Sequence, residues 1–258
     1  MSGSLVAWLS GGLEAPVALA LLATSFAGSF ITVALGIGGG ALLLAVMANL
    51  MPPAALIPVH GVVQLGSNAL RAGVLWRHVH WPPFAAFALG TLAGVALGGA
   101  VVVRLPGPVV QAGVGAFVIW SVLARPPAWL ARFPAVTGLV SAFLTMFFGA
   151  TGVFVANFTK SLRLPRQAHV ATHAVLMTLQ HGLKIAAFGL LGFAYGPWAG
   201  FILAMIAAGF LGTLAGRHVL LRISDRGFRR ALDVVLILVS LRLIWNALAA
   251  WLWPEVRL

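Results

Sequence analysis

Hydrophobic residues run along almost the whole chain and are interrupted mainly by prolines and short basic stretches. Most tryptophans stand near the ends of these apolar runs. Such runs predict membrane-spanning helices, with the Trp side chains at the two membrane–water interfaces. Eight apolar segments can be drawn, at about residues 15–50, 52–76, 82–104, 106–124, 134–160, 165–195, 197–221 and 228–253.

The first segment is too long for a single crossing. As one straight helix, residues 15–50 would measure roughly 54 Å, against a hydrocarbon core of ~30 Å. The run Gly36-Ile37-Gly38-Gly39-Gly40 is where we expect the break. Two interpretations remain open: a broken helix whose backbone lines a binding site, or a glycine-lined contact between helices.

Composition sets the class of protein. Of 258 residues, 61% are hydrophobic and 8% are charged, and the mean hydropathy is +1.05. This excludes a soluble domain and predicts an all-α integral membrane protein in a lipid bilayer. The net charge of +12 comes from 16 basic and 4 acidic residues. In a membrane protein such basic residues mark cytoplasmic loops, so no nucleic-acid partner is expected.

The chain repeats itself with an offset of 113 residues. This offset places unusual residues of the first half on like residues of the second, including Thr24 on Thr137, Gly39 on Gly152, Pro52 on Pro165, His60 on His173 and Arg104 on Arg217. We interpret it as a duplication, with repeats at about 16–124 and 129–253 inside one transmembrane domain. Transporters commonly have such repeats, with the site where they meet.

The number of crossings and the positions of the charges favour different orientations of the two repeats. Four plain crossings per repeat would make them parallel. The basic residues follow the second segment in the first half, but the fifth and seventh segments in the second half. If all of them are cytoplasmic, the repeats are inverted. A first segment that breaks at its glycines and crosses again, or returns halfway, would allow this arrangement.

Polar residues form one stripe on each of two apolar segments. His60, Gln64, Asn68 and Arg71 follow helical spacing in the second segment. The sixth segment carries His173, Gln180, His181 and Lys184. Ionisable residues within a membrane segment are costly and therefore candidates for function. The alternatives are polar contacts between packed helices, and snorkelling of Arg71 and Lys184 towards an interface.

The positive charge and the hydrogen-bond donors of the two stripes predict an anionic substrate. The four acids, Glu14, Asp225, Asp233 and Glu255, lie outside the segments or near their ends, whereas the stripes consist of hydrogen-bond donors. Since no Asp or Glu is expected within the segments to relay a proton, the three stripe histidines, His60, His173 and His181, are the candidates to bind a coupling proton. No Ser–His–acid set or His-Glu-x-x-His helix occurs, so we expect no enzyme activity, metal or cofactor.

The glycine motif, the following Pro-led segment with a polar middle, and the stretch LRAGVLWRHVHW together resemble the sulfite exporter TauE/SafE family. The resemblance covers roughly residues 16 to 250. It implies a multi-pass bacterial inner-membrane permease that exports a small anion such as sulfite or sulfoacetate. A passive anion channel and a structural membrane subunit remain as alternatives, and the oligomeric state stays open.

The expected substrate contacts combine the stripes with the glycine motifs of both halves. The second motif, Gly149-Ala150-Thr151-Gly152-Val153, departs from the family pattern, so Thr151 and Asn157 are expected to add hydrogen bonds. The full set is Gly36, Gly38, Gly39, Gly40, His60, Gln64, Asn68, Arg71, Gly149, Thr151, Gly152, Asn157, His173, His181 and Lys184.

Overall fold

In a computed structural model, which describes residues 2–35, 38–102, 106–219 and 225–252, the fold is helical throughout these ranges. Three short 3₁₀ helices, Trp76–His78, Leu130–Arg132 and Gly196–Trp198, lie in connections. The α-helices are α1 Ser2–Ser10, α2 Ala15–Leu35, α3 Gly39–Leu50, α4 Pro53–Val74, α5 Phe84–Val102, α6 Gly107–Leu123, α7 Pro134–Phe148, α8 Gly152–Ser161, α9 Arg166–Leu190, α10 Ala199–Val219 and α11 Asp225–Leu252.

In the described part of the chain, four helices are long and apolar enough to cross a membrane, and they cover Ala15–Val33, Phe84–Val102, Gly196–Gly216 and Arg230–Ala250. The helices α4 and α9 are also long, at 22 and 25 residues, but they are more polar because they carry the two stripes. They pack against each other. The prediction of an all-α membrane protein is confirmed at this level, although α1 was not among the predicted segments.

Two of the predicted segments are divided into a long helix and a short one. Residues 15–50 form α2 and α3, and residues 134–160 form α7 and α8. At about 1.5 Å per residue, α3 and α8 measure roughly 18 and 15 Å, about half of the hydrocarbon core. We call α3 and α8 the half-helices.

Each half-helix begins beside the middle of the helix before it. In the first case, the backbone of Gly39 lies against the backbone of Gly28 in α2. In the second, the Thr151 hydroxyl donates to the Ser141 carbonyl of α7 over 3.0 Å. Both half-helices therefore start in the interior of the fold.

Two pairs of helices run in the same direction at close range. The Ser25 hydroxyl of α2 donates to the Met205 carbonyl of α10, and Gly216 lies against Phe30 further along both helices. In the same way, the α5 glycines follow α7 from Ala135 to Met146. Small residues permit this close approach, so glycine-lined contacts exist here beside the broken helices.

Two other pairs run in opposite directions. In α4 and α9, Gly61 lies against Lys184, whereas Ala72 packs with Ala174. In α6 and α11, Gly115 lies against Ile244, whereas Ser121 shares a cavity wall with Leu232. These directions place the ends of α2, α4, α6, α8 and α10 and the starts of α5, α7, α9 and α11 at one end of the molecule.

This end of the molecule is rich in positive charge, and we call it the basic end. Glu14, just before α2, lies at the opposite end. The basic residues whose exposed side chains surround the basic end are Arg77, Arg125, Arg132, Lys160, Arg163 and Arg166.

Candidate functional site

A cavity of about 410 Å³ lies where the starts of the two half-helices meet α4 and α9. Arg125, which follows α6 and is exposed, forms part of its wall, so the cavity reaches the basic end. Its polar and glycine wall residues are Thr32, Gly38, Gly40, His60, Gln64, Asn68, Arg71, Ser121, Arg125, Gly149, Gly152, His173, His181 and Asp233.

The first turns of both half-helices border this cavity, at Gly40 in α3 and at Gly152 in α8. The first N–H groups of any α-helix lack intrahelical acceptors, and no side chain caps α3 or α8. Gly38 precedes α3 with φ 105°, and Gly149 follows α7 with φ 74°. Both values fall in the left-handed region that glycine enters at no steric cost, which explains these two positions of the motifs.

A histidine ties each half-helix to a long helix. His60 Nε2 donates to the Gly40 carbonyl over 3.1 Å, and His173 Nε2 donates to the Gly152 carbonyl over 3.4 Å. A carbonyl only accepts, so both rings must carry the proton on Nε2. The two histidines therefore hold the first turns of α3 and α8 at the cavity wall.

The stripe of α4 is linked along its own length. The Asn68 amide donates to the Gln64 carbonyl over 2.8 Å, and Arg71 Nη1 donates to Asn68 Oδ1 over 3.3 Å. Arg71 and His173 both line the cavity. Asn68 thus uses both ends of its amide within the stripe and orients the guanidinium.

Most of the predicted contacts meet at this cavity. Gly36 lies outside the described residues, and Gly39, Thr151, Asn157 and Lys184 do not belong to the wall. The predicted residues that the structure brings together in the wall are Gly38, Gly40, His60, Gln64, Asn68, Arg71, Gly149, Gly152, His173 and His181.

Gly39 and Thr151 have structural surroundings. A Cβ at Gly39 would collide with the carbonyl of Gly28, so this glycine allows α3 to pack on α2. Thr151 belongs to a fully buried network in which Gln180 Nε2 donates to its hydroxyl over 2.9 Å and Ser141 donates to Gln180 Oε1 over 2.8 Å. This network fixes the start of α8 against α7 and α9.

Lys184 and Asn157 also lie away from the wall. Lys184 has no exposed surface, so the alternative that it snorkels to an interface is wrong. It faces Gly61, where α4 crosses α9. Asn157 is half-buried in the middle of α8, one and a half turns beyond the cavity.

The sequence reasoning missed several wall residues. Asp233 was expected near the end of a segment, but it lies two turns inside α11 and lines the cavity while half-buried. The cause was the predicted start of the last segment at residue 228, which put Asp233 near a helix end. Thr32, Ser121 and Arg125 had no signal in the sequence, because nothing in the spacing shows that the ends of α2 and α6 reach the site.

The donor set of this cavity suits an anion better than a metal. Within the described ranges, no group of three His, Cys, Asp or Glu side chains is placed to hold a metal ion. Two arginines, Arg71 and Arg125, and two helix N-termini outweigh Asp233, the one carboxylate in the described part of the wall.

Comparison with known proteins adds one finding. No curated protein and no solved structure matches the chain. A family model described as "Sulfite exporter TauE/SafE" matches residues 5–243, which is nearly the whole length. The cavity, the half-helices and both polar stripes all fall within the matched residues. The chain therefore belongs to the sulfite exporter TauE/SafE family of membrane proteins.

Proposed function

We propose that this protein is a secondary transporter that exports a small oxyanion, such as sulfite or an organosulfonate, across the bacterial inner membrane. The observation that carries the proposal is the convergence of two uncapped helix N-termini and the Arg71 guanidinium on one cavity. Helix N-termini and guanidinium groups both bind oxyanions through N–H donors.

The distribution of charge supports an anion over a cation. Arg71, Arg125 and the starts of both half-helices border the cavity, whereas its described wall contains one carboxylate, Asp233. A cation would therefore meet two guanidinium groups and the positive ends of two helix dipoles against a single carboxylate. An oxyanion finds donors on several sides of the cavity.

The packing of the helices supports inverted repeats. The 113-residue offset relates α4 to α9 and α6 to α11, and both pairs run antiparallel. Equivalent helices run antiparallel when the axis that relates them lies in the membrane plane. The same offset exchanges the parallel pair α2–α10 with the parallel pair α7–α5, as a two-fold relation requires.

The end at which the cavity opens supports loading from the cytoplasm. Basic loops of bacterial membrane proteins remain predominantly on the cytoplasmic side. The cavity reaches the basic end, so this conformation is open to the cytoplasm. An exporter must collect its substrate in this conformation.

Transport into proteoliposomes tests the proposal. Purified protein should give saturable uptake of labelled sulfite or sulfoacetate, and unlabelled anion inside the vesicles should accelerate it by exchange. Arg71→Gln should raise the KM roughly tenfold to a hundredfold, because a hydrogen bond to a charged group contributes about 1.5–3 kcal/mol. Arg132→Gln is the matched control, since Arg132 is exposed at the basic end and does not line the cavity.

The two alternative functions predict different flux in the same vesicles. A passive anion channel would show neither saturation nor exchange at comparable flux. A structural subunit would show no flux of any tested anion above that of empty vesicles. Equal KM values for Arg71→Gln and Arg132→Gln would contradict the assignment of the cavity as the anion site.

A further inference from the structure

A second group of polar side chains lies behind the wall of the cavity, and we call it the nitrogen cluster. It consists of His60, His181 and Lys184, of which His60 and His181 are 1% exposed and Lys184 is 0% exposed. His60 Nδ1, His181 Nδ1 and Lys184 Nζ are all buried without a hydrogen-bond partner. Unpaired buried polar groups are costly, so three at one helix crossing call for an explanation.

The three side chains are neighbours. The rings of His60 and His181 are 6.4 Å apart between centroids, with an angle of 79° between their planes. A Cβ at Gly61 would lie 2.8 Å from Lys184 Cε and 3.4 Å from Nζ, which places the amine directly beside the backbone next to His60. Both histidines also line the cavity, whereas Lys184 lies behind them.

Among the described residues, no acid lies on the helices packed around Lys184, and the cavity that His60 and His181 line carries one carboxylate, Asp233. The helices packed on α9 around Lys184 are α4, α5 and α7. The ranges Phe84–Val102 and Pro134–Phe148 contain no titratable residue, and α4 contributes His60 and, further along, Arg71. From α9 itself, His173 and His181 line the cavity in front of Lys184. Every titratable group around Lys184 in the described residues is therefore a base.

We infer that the nitrogen cluster binds one proton, which the protein takes up together with the anion. His60 already donates Nε2–H to Gly40, so its Nδ1 offers a lone pair. Lys184 Nζ offers another when its amine is neutral, the form favoured for a buried amine without an acid beside it. A proton that arrives through the cavity adds one positive charge to this apolar crossing. An anion in the cavity, against the same two imidazoles, supplies the balancing charge.

The inference rests on the proposed function and adds the coupling ion and the residues that hold it. If anion binding favours the proton, the proton must favour anion binding by the same factor. For one linked proton, the affinity for the anion should increase by up to about tenfold per unit fall in pH over the linked range. The anion used must itself stay ionised in that range, and sulfoacetate meets this condition near neutral pH.

The test is calorimetric titration of the purified protein with sulfoacetate near neutral pH. Buffers that differ in their enthalpy of ionisation give the number of protons taken up per anion bound. We expect about one proton for wild type. For Lys184→Met we expect a value close to zero, with weaker binding that no longer changes with pH. Lys160→Met, at an exposed position of α8, is the matched control and should behave as wild type.

Three results would overturn the inference. They are wild-type binding without proton uptake, equal proton uptake by wild type and Lys184→Met, and complete loss of anion binding in Lys184→Met, which would make Lys184 a direct ligand. If Lys184→Met does not reach the membrane, His181→Gln serves as the second variant and should also take up fewer protons. Wild type that binds neither sulfite nor sulfoacetate would instead contradict the proposed function.

Discussion

Alanine at Gly152 should weaken transport without weakening the fold. Gly152 is the first residue of α8 and lines the cavity. A Cβ there would lie 3.5 Å from Met177 Cε and 3.9 Å from His173 Nε2, which are ordinary contacts. The added methyl group therefore fits, and it covers the first-turn N–H groups that face the proposed anion site.

The size of the effect follows from the lost contact. A hydrogen bond to a charged group contributes about 1.5–3 kcal/mol, which corresponds to a KM for sulfite or sulfoacetate raised roughly tenfold to a hundredfold. The melting temperature of the purified variant should stay close to that of wild type. Gly182→Ala is the matched control, because its Cβ would meet only Leu65 at 3.9 Å and Gly182 does not line the cavity.

Gly39→Ala should weaken the fold, which Gly152→Ala leaves intact. Its Cβ would run into the carbonyl of Gly28, and neither helix backbone can yield locally. Overpacking of this kind costs about 1–3 kcal/mol, which for a chain of this size lowers the melting temperature by roughly 2–4 °C per kcal/mol.

If Gly152→Ala transports with the wild-type KM, the start of α8 does not contact the anion and the proposed site is wrong.

Two further predictions concern the buried network and the topology. Gln180→Leu should lower the melting temperature, because it removes the hydrogen bonds of Gln180 to the Ser141 and Thr151 hydroxyls, each contributing about 0.5–1.5 kcal/mol. Ser240→Ala should not lower it, since the Ser240 hydroxyl is buried without a partner. The chain has no cysteine, so single cysteines can be labelled without background. His78→Cys and Arg163→Cys should both react with an impermeant maleimide only from the cytoplasmic side and Glu14→Cys only from the other side; labelling of the first two from opposite sides would exclude inverted repeats.

The break in the first segment and the two polar stripes were predictable from sequence, because both follow from length and spacing. A helix of residues 15–50 does not fit a membrane, and glycine is where it bends. Residues at helical spacing share a face, and the α4 stripe does line the cavity from His60 to Arg71. These features depend on one element at a time.

The differences among residues of one motif were not predictable, because they depend on which helix packs nearby. Gly39 and Gly40 are adjacent, yet one contacts the backbone of α2 and the other lines the cavity. Lys184 continues the α9 stripe by spacing, but the crossing with α4 at Gly61 buries it behind the wall. Asp233 reaches the site only because α11 runs antiparallel to α6.

The second glycine motif differs from the first for a reason that lies in packing. By the 113-residue offset, Ser141, Thr151 and Gln180 correspond to Gly28, Gly38 and Ser67. In the second half, three side chains hydrogen-bond to one another and hold the start of α8. In the first half, two of the three positions are glycines, and the start of α3 is held by backbone contact with α2 instead.

Threonine at position 151 is therefore the centre of a network, and a glycine there would leave Gln180 without its acceptor. The two half-helices reach the same cavity through different means, one through side-chain hydrogen bonds and the other through close backbone packing. Hence a methyl group added to the glycine at the start of each half-helix has different consequences, although the two residues are equivalent in sequence. At Gly39 the methyl group meets protein backbone, and at Gly152 it meets the space proposed for the anion.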